Sequence, residues 1–98
     1  MINLDASKFA EKIAESDVVV LDVRTPEEFK GNHLKGAQNI CVTSDDFKEK
    51  VKILDKNKPV YVYCLSGGRS SAAASQLKEM GFKSIINLSG GMLAWQSA

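Results

Sequence analysis

The run Cys64-Leu65-Ser66-Gly67-Gly68-Arg69-Ser70 holds the residue types of a reactive thiol site. It follows Val60-Tyr61-Val62-Tyr63, the block of highest strand propensity in the chain. It precedes a stretch of helical composition carrying Ala72, Ala73, Ala74, Leu77 and Met80. Two adjacent glycines allow a tight loop whose backbone N–H groups converge on one point. The helix that follows adds its unpaired first amides and its positive end. Arg69 adds a full positive charge and a planar set of donors. Such surroundings favour thiolate over thiol, so Cys64 is expected below the ordinary value of ~8.5. The same cradle would hold an anionic substrate or leaving group, so one loop supplies nucleophile and anion site together. Cys64 and Arg69 are the expected catalytic residues. Leu65, Ser66, Gly67, Gly68 and Ser70 are the expected substrate contacts, with Leu65 and Ser66 tuning selectivity. A lone cysteine at a strand end is more often a small core residue, but that reading leaves the Gly-Gly-Arg sequence after Cys64 unexplained. Cys41 has no glycine loop or basic neighbour and is read as structural.

A loop of this kind needs a strand to end at it and a helix to leave it, and the rest of the chain supplies the same alternation. Asp5 can cap a first helix, with Leu4 and Phe9 spaced as a hydrophobic staple. Val18-Val19-Val20-Leu21 reads as a strand buried on both faces. At Thr25-Pro26-Glu27-Glu28 a cap, a proline at the first helical position and a closing glutamate spell a capping box. Ala37-Gln38-Asn39-Ile40 is a weak strand candidate. Phe47, Val51 and Leu54 fall on one helical face. Gly81-Phe82 reads as a glycine C-cap with its hydrophobic follower. Ile85-Ile86-Asn87-Leu88 is a last strand, and Gly90-Gly91 leads into a terminal helix with Leu93 and Trp95. Strand and helix alternating at short spacing predict an α/β fold with four or five mostly parallel strands. In such sheets, sites form at the carboxyl ends of the strands.

The 98 residues, 44% hydrophobic and 26% charged, suit one soluble domain over positions 1–98. A net charge of +1 argues against nucleic acid held by bulk charge. No apolar run reaches the ~18 residues that span a membrane. The first residues lack the basic-then-apolar pattern of a secretory signal, so the cytoplasm is the expected address. Two cysteines make no disulfide framework, and no His/Cys cluster suggests a metal. A reducing compartment, no cofactor and a monomer are the expectations.

Four segments together resemble the rhodanese family. Val20 to Phe29, reading VLDVRTPEEF, is similar to its first signature, and His33-Leu34-Lys35-Gly36-Ala37-Gln38-Asn39-Ile40 continues it. Tyr63 to Ser70 resembles its active-site loop. Ser89-Gly90-Gly91-Met92-Leu93-Ala94-Trp95 resembles its C-terminal signature. The resemblance covers nearly the whole chain, in the family's order. It implies a three-layer fold with helices on both sheet faces. It also implies sulfur transfer: Cys64 takes the outer sulfur of thiosulfate or another sulfane donor as a persulfide, and a thiol or cyanide then accepts it. The thiol could belong to a thioredoxin-like protein. The loop amides would hold the persulfide charge, and Arg69 the sulfonate end of the donor.

The resemblance further suggests that Asp22 and Arg24 brace neighbouring loops through charged hydrogen bonds; the alternative is a surface pair of little consequence. His33, the only histidine, is read as orienting its turn rather than as a base. The family commonly runs Gly-His-Ile-Pro-Gly-Ala, whereas here an extra Asn32 follows Gly31 and Lys35 replaces the proline. Glu28 is accounted for by its capping box. Two other functions compete. Rhodanese folds also serve as non-catalytic interaction modules, but these usually lack the cysteine or the glycine loop. Related phosphatases and arsenate reductases use a C-x5-R loop, one residue longer than the C-x4-R loop from Cys64 to Arg69, and the longer loop suits a tetrahedral oxyanion.

Overall fold

The computed structural model describes residues 1–15 and 17–97. Five strands, β1 (Ile2–Leu4), β2 (Val19–Asp22), β3 (Gln38–Asn39), β4 (Val60–Tyr63) and β5 (Ile85–Leu88), form one sheet in the order β1-β5-β4-β2-β3. Every pairing is parallel. β4 lies in the middle, with Val60 and Val62 on one side of the sheet and Tyr61 and Tyr63 on the other. Both sides are buried, which is why the strand reads as an unbroken apolar run rather than an alternation.

The helices are α1 (Ala6–Glu15), α2 (Pro26–Gly31), α3 (Phe47–Val51), α4 (Gly68–Glu79) and α5 (Gly91–Ser97). Phe47 and Val51 of α3 and Ala73, Ala74 and Leu77 of α4 pack on Leu21, Val60 and Val62. Phe9 of α1 and Met92 of α5 pack on Val20, Tyr61 and Ile86. Phe9 also meets the Tyr61 ring edge-on at 5.4 Å between centroids. The molecule is therefore the parallel α/β fold expected from the alternating pattern, in the three layers that the resemblance implies.

Local signals hold well. Asp5 Oδ1 accepts from the Lys8 amide and caps α1. Thr25 and Glu28 exchange both capping-box bonds at the head of α2. Met80 ends α4, and the Phe82 and Gly81 amides return to the Leu77 and Lys78 carbonyls, closing a Schellman turn.

Two elements differ from expectation. Residues 2–4 form an edge strand, which the reading of Leu4 as part of the helix entry overlooked. Three residues carry no periodicity of their own, and their pairing with β5 comes from the tertiary fold. Leu54 is buried but lies beyond the end of α3, in a turn whose amide reaches the Val51 carbonyl at 3.1 Å.

Candidate active site

Cys64 is the first residue after β4, and the chain turns at once into α4. The turn depends on Gly67, whose φ of 126° is a conformation L side chains rarely adopt. Gly67 is also the N-cap of α4, with no side chain to cap it. Its own amide instead donates to Cys64 Sγ at 2.9 Å. Ser70 Oγ lies 3.3 Å from the same sulfur and 3.1 Å from the Gly67 carbonyl oxygen. The sulfur–hydroxyl contact serves either ionisation state, since a thiol donates to Ser70 and a thiolate accepts from it.

The sulfur sits on the floor of this cradle, and Cys64 is only 1% exposed. Burial pushes the thiol up. The Ser70 hydroxyl and the amides of Ser70, Gly67 and Ser66 outweigh burial, and the net direction is down. Leu65 and Ser66, the two residues that follow Cys64, are exposed. Gly68 opens α4, and the buried Ser70 follows in its first turn.

Arg69 is not a free cation. Its two terminal nitrogens donate to the two carboxylate oxygens of Glu28, at 2.6 and 3.0 Å. This fork joins residues 41 positions apart and ties the active-site loop to the head of α2. Arg69 holds the Glu28 carboxyl well below the usual range, at about 2, although burial works against it and Thr25 adds to it. Each terminal nitrogen of Arg69 keeps a second hydrogen outside the fork. Both Cys64 and Cys41 lie within reach of the guanidinium charge, so Cys41 has a basic neighbour that its sequence surroundings did not show. Glu28 therefore has a partner that the capping box did not reveal. No local pattern could have shown it.

Asp22 and Arg24 form a buried ion pair, 0% and 2% exposed, so the surface alternative is excluded. Arg24 Nη2 meets Asp22 Oδ2 at 2.7 Å and the Asn32 carbonyl at 2.6 Å. Asp22 Oδ1 accepts from the Arg24 amide at 2.9 Å. Asn39 Nδ2 donates to the Asp22 and Arg24 carbonyls, a support not foreseen from sequence. The pair thus fixes the end of β2, beside Cys64, and the segment after α2. His33 lies in that segment, exposed, stacked on Phe29 at 3.8 Å, with Nδ1 2.9 Å from the Phe29 carbonyl oxygen. Those contacts orient the turn, and the cradle around Cys64 is complete without them. Cys41 is half-buried, its sulfur 3.1 Å from Thr43 Oγ1.

A buried, acid-shifted thiol among convergent amides is equipped to form a covalent bond to a small electrophile and to hold the resulting anion. Similarity to known proteins points the same way. Residues 5–98 match the family described as Rhodanese-like domain. The uncharacterized protein YqhL of Bacillus subtilis is 41% identical over 76 residues, covering 78% of this chain and 59% of its own length. Thiosulfate sulfurtransferase GlpE of Coxiella burnetii is 34% identical over 88 residues, covering 89% of this chain and 79% of its own. The crystal structure of a rhodanese-related protein from Thermoplasma volcanium superposes with a TM-score of 0.86 at 32% identity. It covers 99% of this chain and 92% of its own. Among the described residues, no helix is long and apolar enough to cross a membrane. A match over nearly the whole chain, in fold as in sequence, places this protein in the rhodanese-like domain family.

Proposed function

We propose that the protein is a sulfurtransferase working through a persulfide on Cys64. The Cys64 thiolate attacks the outer sulfur of thiosulfate or another sulfane donor. A sulfur–sulfur bond forms, the donor's own sulfur–sulfur bond breaks, and its electron pair leaves with sulfite, or with the donor's thiolate where the donor is a persulfide. The sulfur stays on Cys64 as a persulfide anion. A thiolate or cyanide then attacks that outer sulfur, and the Cys64 thiolate is regenerated. The acceptor leaves as a persulfide or as thiocyanate, each step trades one anionic nucleophile for one anionic leaving group, and the cycle closes without an electron carrier.

The observation that carries this reading is the Gly67 amide aimed at Cys64 Sγ from 2.9 Å, inside a ring that also includes Ser70. These donors hold the charge of the thiolate on Sγ, and in the persulfide the charge moves one sulfur outward into the same loop. GlpE, whose name gives thiosulfate as its substrate, supports thiosulfate as the donor here. Leu65, exposed and next to Cys64 in the chain, suits a less polar physiological partner, such as a protein thiol of thioredoxin-like type. Both cysteines are free, as a reducing compartment such as the cytoplasm would keep them, and every group the cycle uses comes from one chain.

Intact-mass measurement after thiosulfate treatment tests the reading. The chain should gain one sulfur atom on Cys64, lose it on adding cyanide, and gain nothing as Cys64→Ser. Failure of the wild-type chain to take up sulfur from thiosulfate or from a small persulfide would overturn it. Arg69→Ala should reduce thiosulfate turnover more than it slows alkylation of Cys64. Equal losses would remove the sulfonate role from Arg69.

A further inference from the structure

The convergent amides around Cys64 need something to hold their peptide planes, and the first turn of α5 touches those planes from behind. The Met92 amide donates to the Cys64 carbonyl at 2.9 Å, and the Leu93 amide to the Leu65 carbonyl at 3.1 Å. No described peptide bond is cis. In a trans peptide the C=O and N–H point in opposite directions. Turning the Cys64 and Leu65 carbonyls toward α5 therefore turns the Leu65 and Ser66 N–H groups away from it, into the loop. The Ser66 amide is among the groups that stabilise the Cys64 thiolate. A carbonyl that accepts a hydrogen bond also polarises the N–H of its own peptide unit, so the contact strengthens these donors as well as aiming them.

Gly91, the first residue of α5, makes the approach possible. It is buried, with φ at 60°. A Cβ there would stand 2.5 Å from the Leu65 carbonyl oxygen and 2.6 Å from that of Cys64. Real Cβ atoms do not come that close to backbone oxygens, so any side chain at this position must push the loop or α5 away. The positive φ already strains any L side chain, and the close approach adds a clash with backbone oxygens that Gly81, also at positive φ, does not have.

We infer that Gly91 is a positioning residue for the sulfur chemistry: it lets the α5 amides seat against the Cys64 and Leu65 carbonyls and so aim the loop amides at the sulfur. The inference deepens the proposed transfer reaction and rests on it for its relevance, but its test needs no sulfur donor. Substituting Gly91 should leave Cys64 in place and weaken the stabilisation of its charge.

The experiment follows the rate of Cys64 alkylation by iodoacetamide against pH in the full chain, with Cys41→Ser as background and circular dichroism to confirm folding. Gly91→Ala should raise the alkylation midpoint by about one pH unit, a roughly tenfold loss of thiolate below it. Gly81→Ala is the matched control. Its φ of 94° makes it the more strained substitution, yet a Cβ there meets nothing within 4 Å and it lies at the far end of α4. It should lower stability and leave the midpoint alone. A folded Gly91→Ala chain with the wild-type midpoint would overturn the inference, as would an equal shift in Gly81→Ala. If Gly91→Ala does not fold, Leu93→Pro decides. It replaces the N–H that bonds the Leu65 carbonyl with a ring carbon that pushes against it, while the exposed side chain leaves the core untouched. A raised midpoint supports the clamp, and an unmoved one overturns it. Wild-type uptake of sulfur is scored separately by mass. A chain that takes up no sulfur yet shows the Gly91 shift refutes the transfer reading and keeps the clamp, and the reverse pattern does the opposite.

Discussion

The two cysteines of this chain make a controlled comparison. Both emerge at the same end of one parallel sheet, Cys64 directly after β4 and Cys41 two residues after the last residue of β3. Both are free thiols. They differ in what the chain does next. After Cys64 it bends through Gly67 into a twelve-residue helix, and the amides of that bend return to the sulfur. After Cys41 it runs into a polar turn, and the sulfur meets the Thr43 hydroxyl. Position at a strand end supplies a place, and convergent amides supply reactivity. Exchanging each cysteine for serine breaks the comparison most sharply. Cys64→Ser should abolish persulfide formation and sulfur transfer to background, while Cys41→Ser should retain turnover within about twofold, since no amide ring is disturbed. Coupled thiosulfate–cyanide turnover measures both. Loss of activity in Cys41→Ser would show that the second thiol, which shares the Arg69 charge, takes part.

A second contrast lies between two arginine–carboxylate pairs. Arg24 and Asp22 are buried together with their hydrogen bonds to backbone groups filled. Arg69 and Glu28 remain about a third exposed, at 31% and 28%. Removing one member of a buried pair strands the other charge in a low-dielectric interior, which costs about 3–5 kcal/mol. Asp22→Ala should therefore destabilise the domain by that amount in urea denaturation, lowering the melting temperature by roughly 4–8 °C per kcal/mol. Thiosulfate turnover of the fraction still folded should fall as well, because β2 ends beside Cys64. A loss of under ~1 kcal/mol would mean that the pair relaxes into water once broken.

Ser70 sharpens the first contrast at the level of one hydroxyl. In the thiolate state it is a neutral donor to a charged acceptor, an interaction worth about 1.5–3 kcal/mol, or one to two pH units. Ser70→Ala should move the Cys64 alkylation midpoint upward by that much, toward the ordinary thiol value. The linkage has a definite sign. The folded thiol lies below its unfolded value, so the stability it contributes is present above the unfolded value and is lost as pH falls through the folded one. Ser70→Ala should shrink this rise in stability with pH in the alkaline range. An unchanged midpoint would leave the acid shift to the amides alone.

What could be read from the chain follows the range of each interaction. The capping box of α2 spans three residues, so Thr25, Pro26 and Glu28 announce it. The buried strand β4 and the glycine loop lie side by side in sequence, so Cys64 and its cradle were visible together. The Arg69–Glu28 fork spans 41 residues and leaves no periodic trace. Glu28 moreover had a complete local explanation, which concealed the distant one. β1 is three residues long, and its strand character exists only against β5. Gly91 lay inside a segment singled out by resemblance, but its purpose needed the carbonyls of Cys64 and Leu65 to be seen next to it. Asp22 and Arg24 were visible as a pair, and their burial followed only from the packing of β2 between β3 and β4.

The smallest expected effect tests the second contrast from its exposed side. Glu28→Gln keeps an amide oxygen able to accept from the Thr25 amide, so the capping box survives. It removes the charge that Arg69 meets. For a pair this exposed, water screens the attraction that depresses the Glu28 carboxyl and Gln keeps the Thr25 bond, so the cost should be about 0.2–1 kcal/mol rather than what the depression alone implies, and smaller still in high salt. Asp22→Ala should show no comparable salt dependence, because its partner is dry. The pH signature is specific. The Glu28 carboxyl is depressed to about 2 in the fold against an ordinary 4.5. Its contribution is therefore complete above about 4.5 and disappears as pH falls toward 2, and Glu28→Gln should flatten the stability curve in that window and leave it parallel to wild type at neutral pH. An undiminished acid limb in Glu28→Gln would show that other carboxylates carry it, and that the fork holding Arg69 orients the loop without contributing to the stability of the fold.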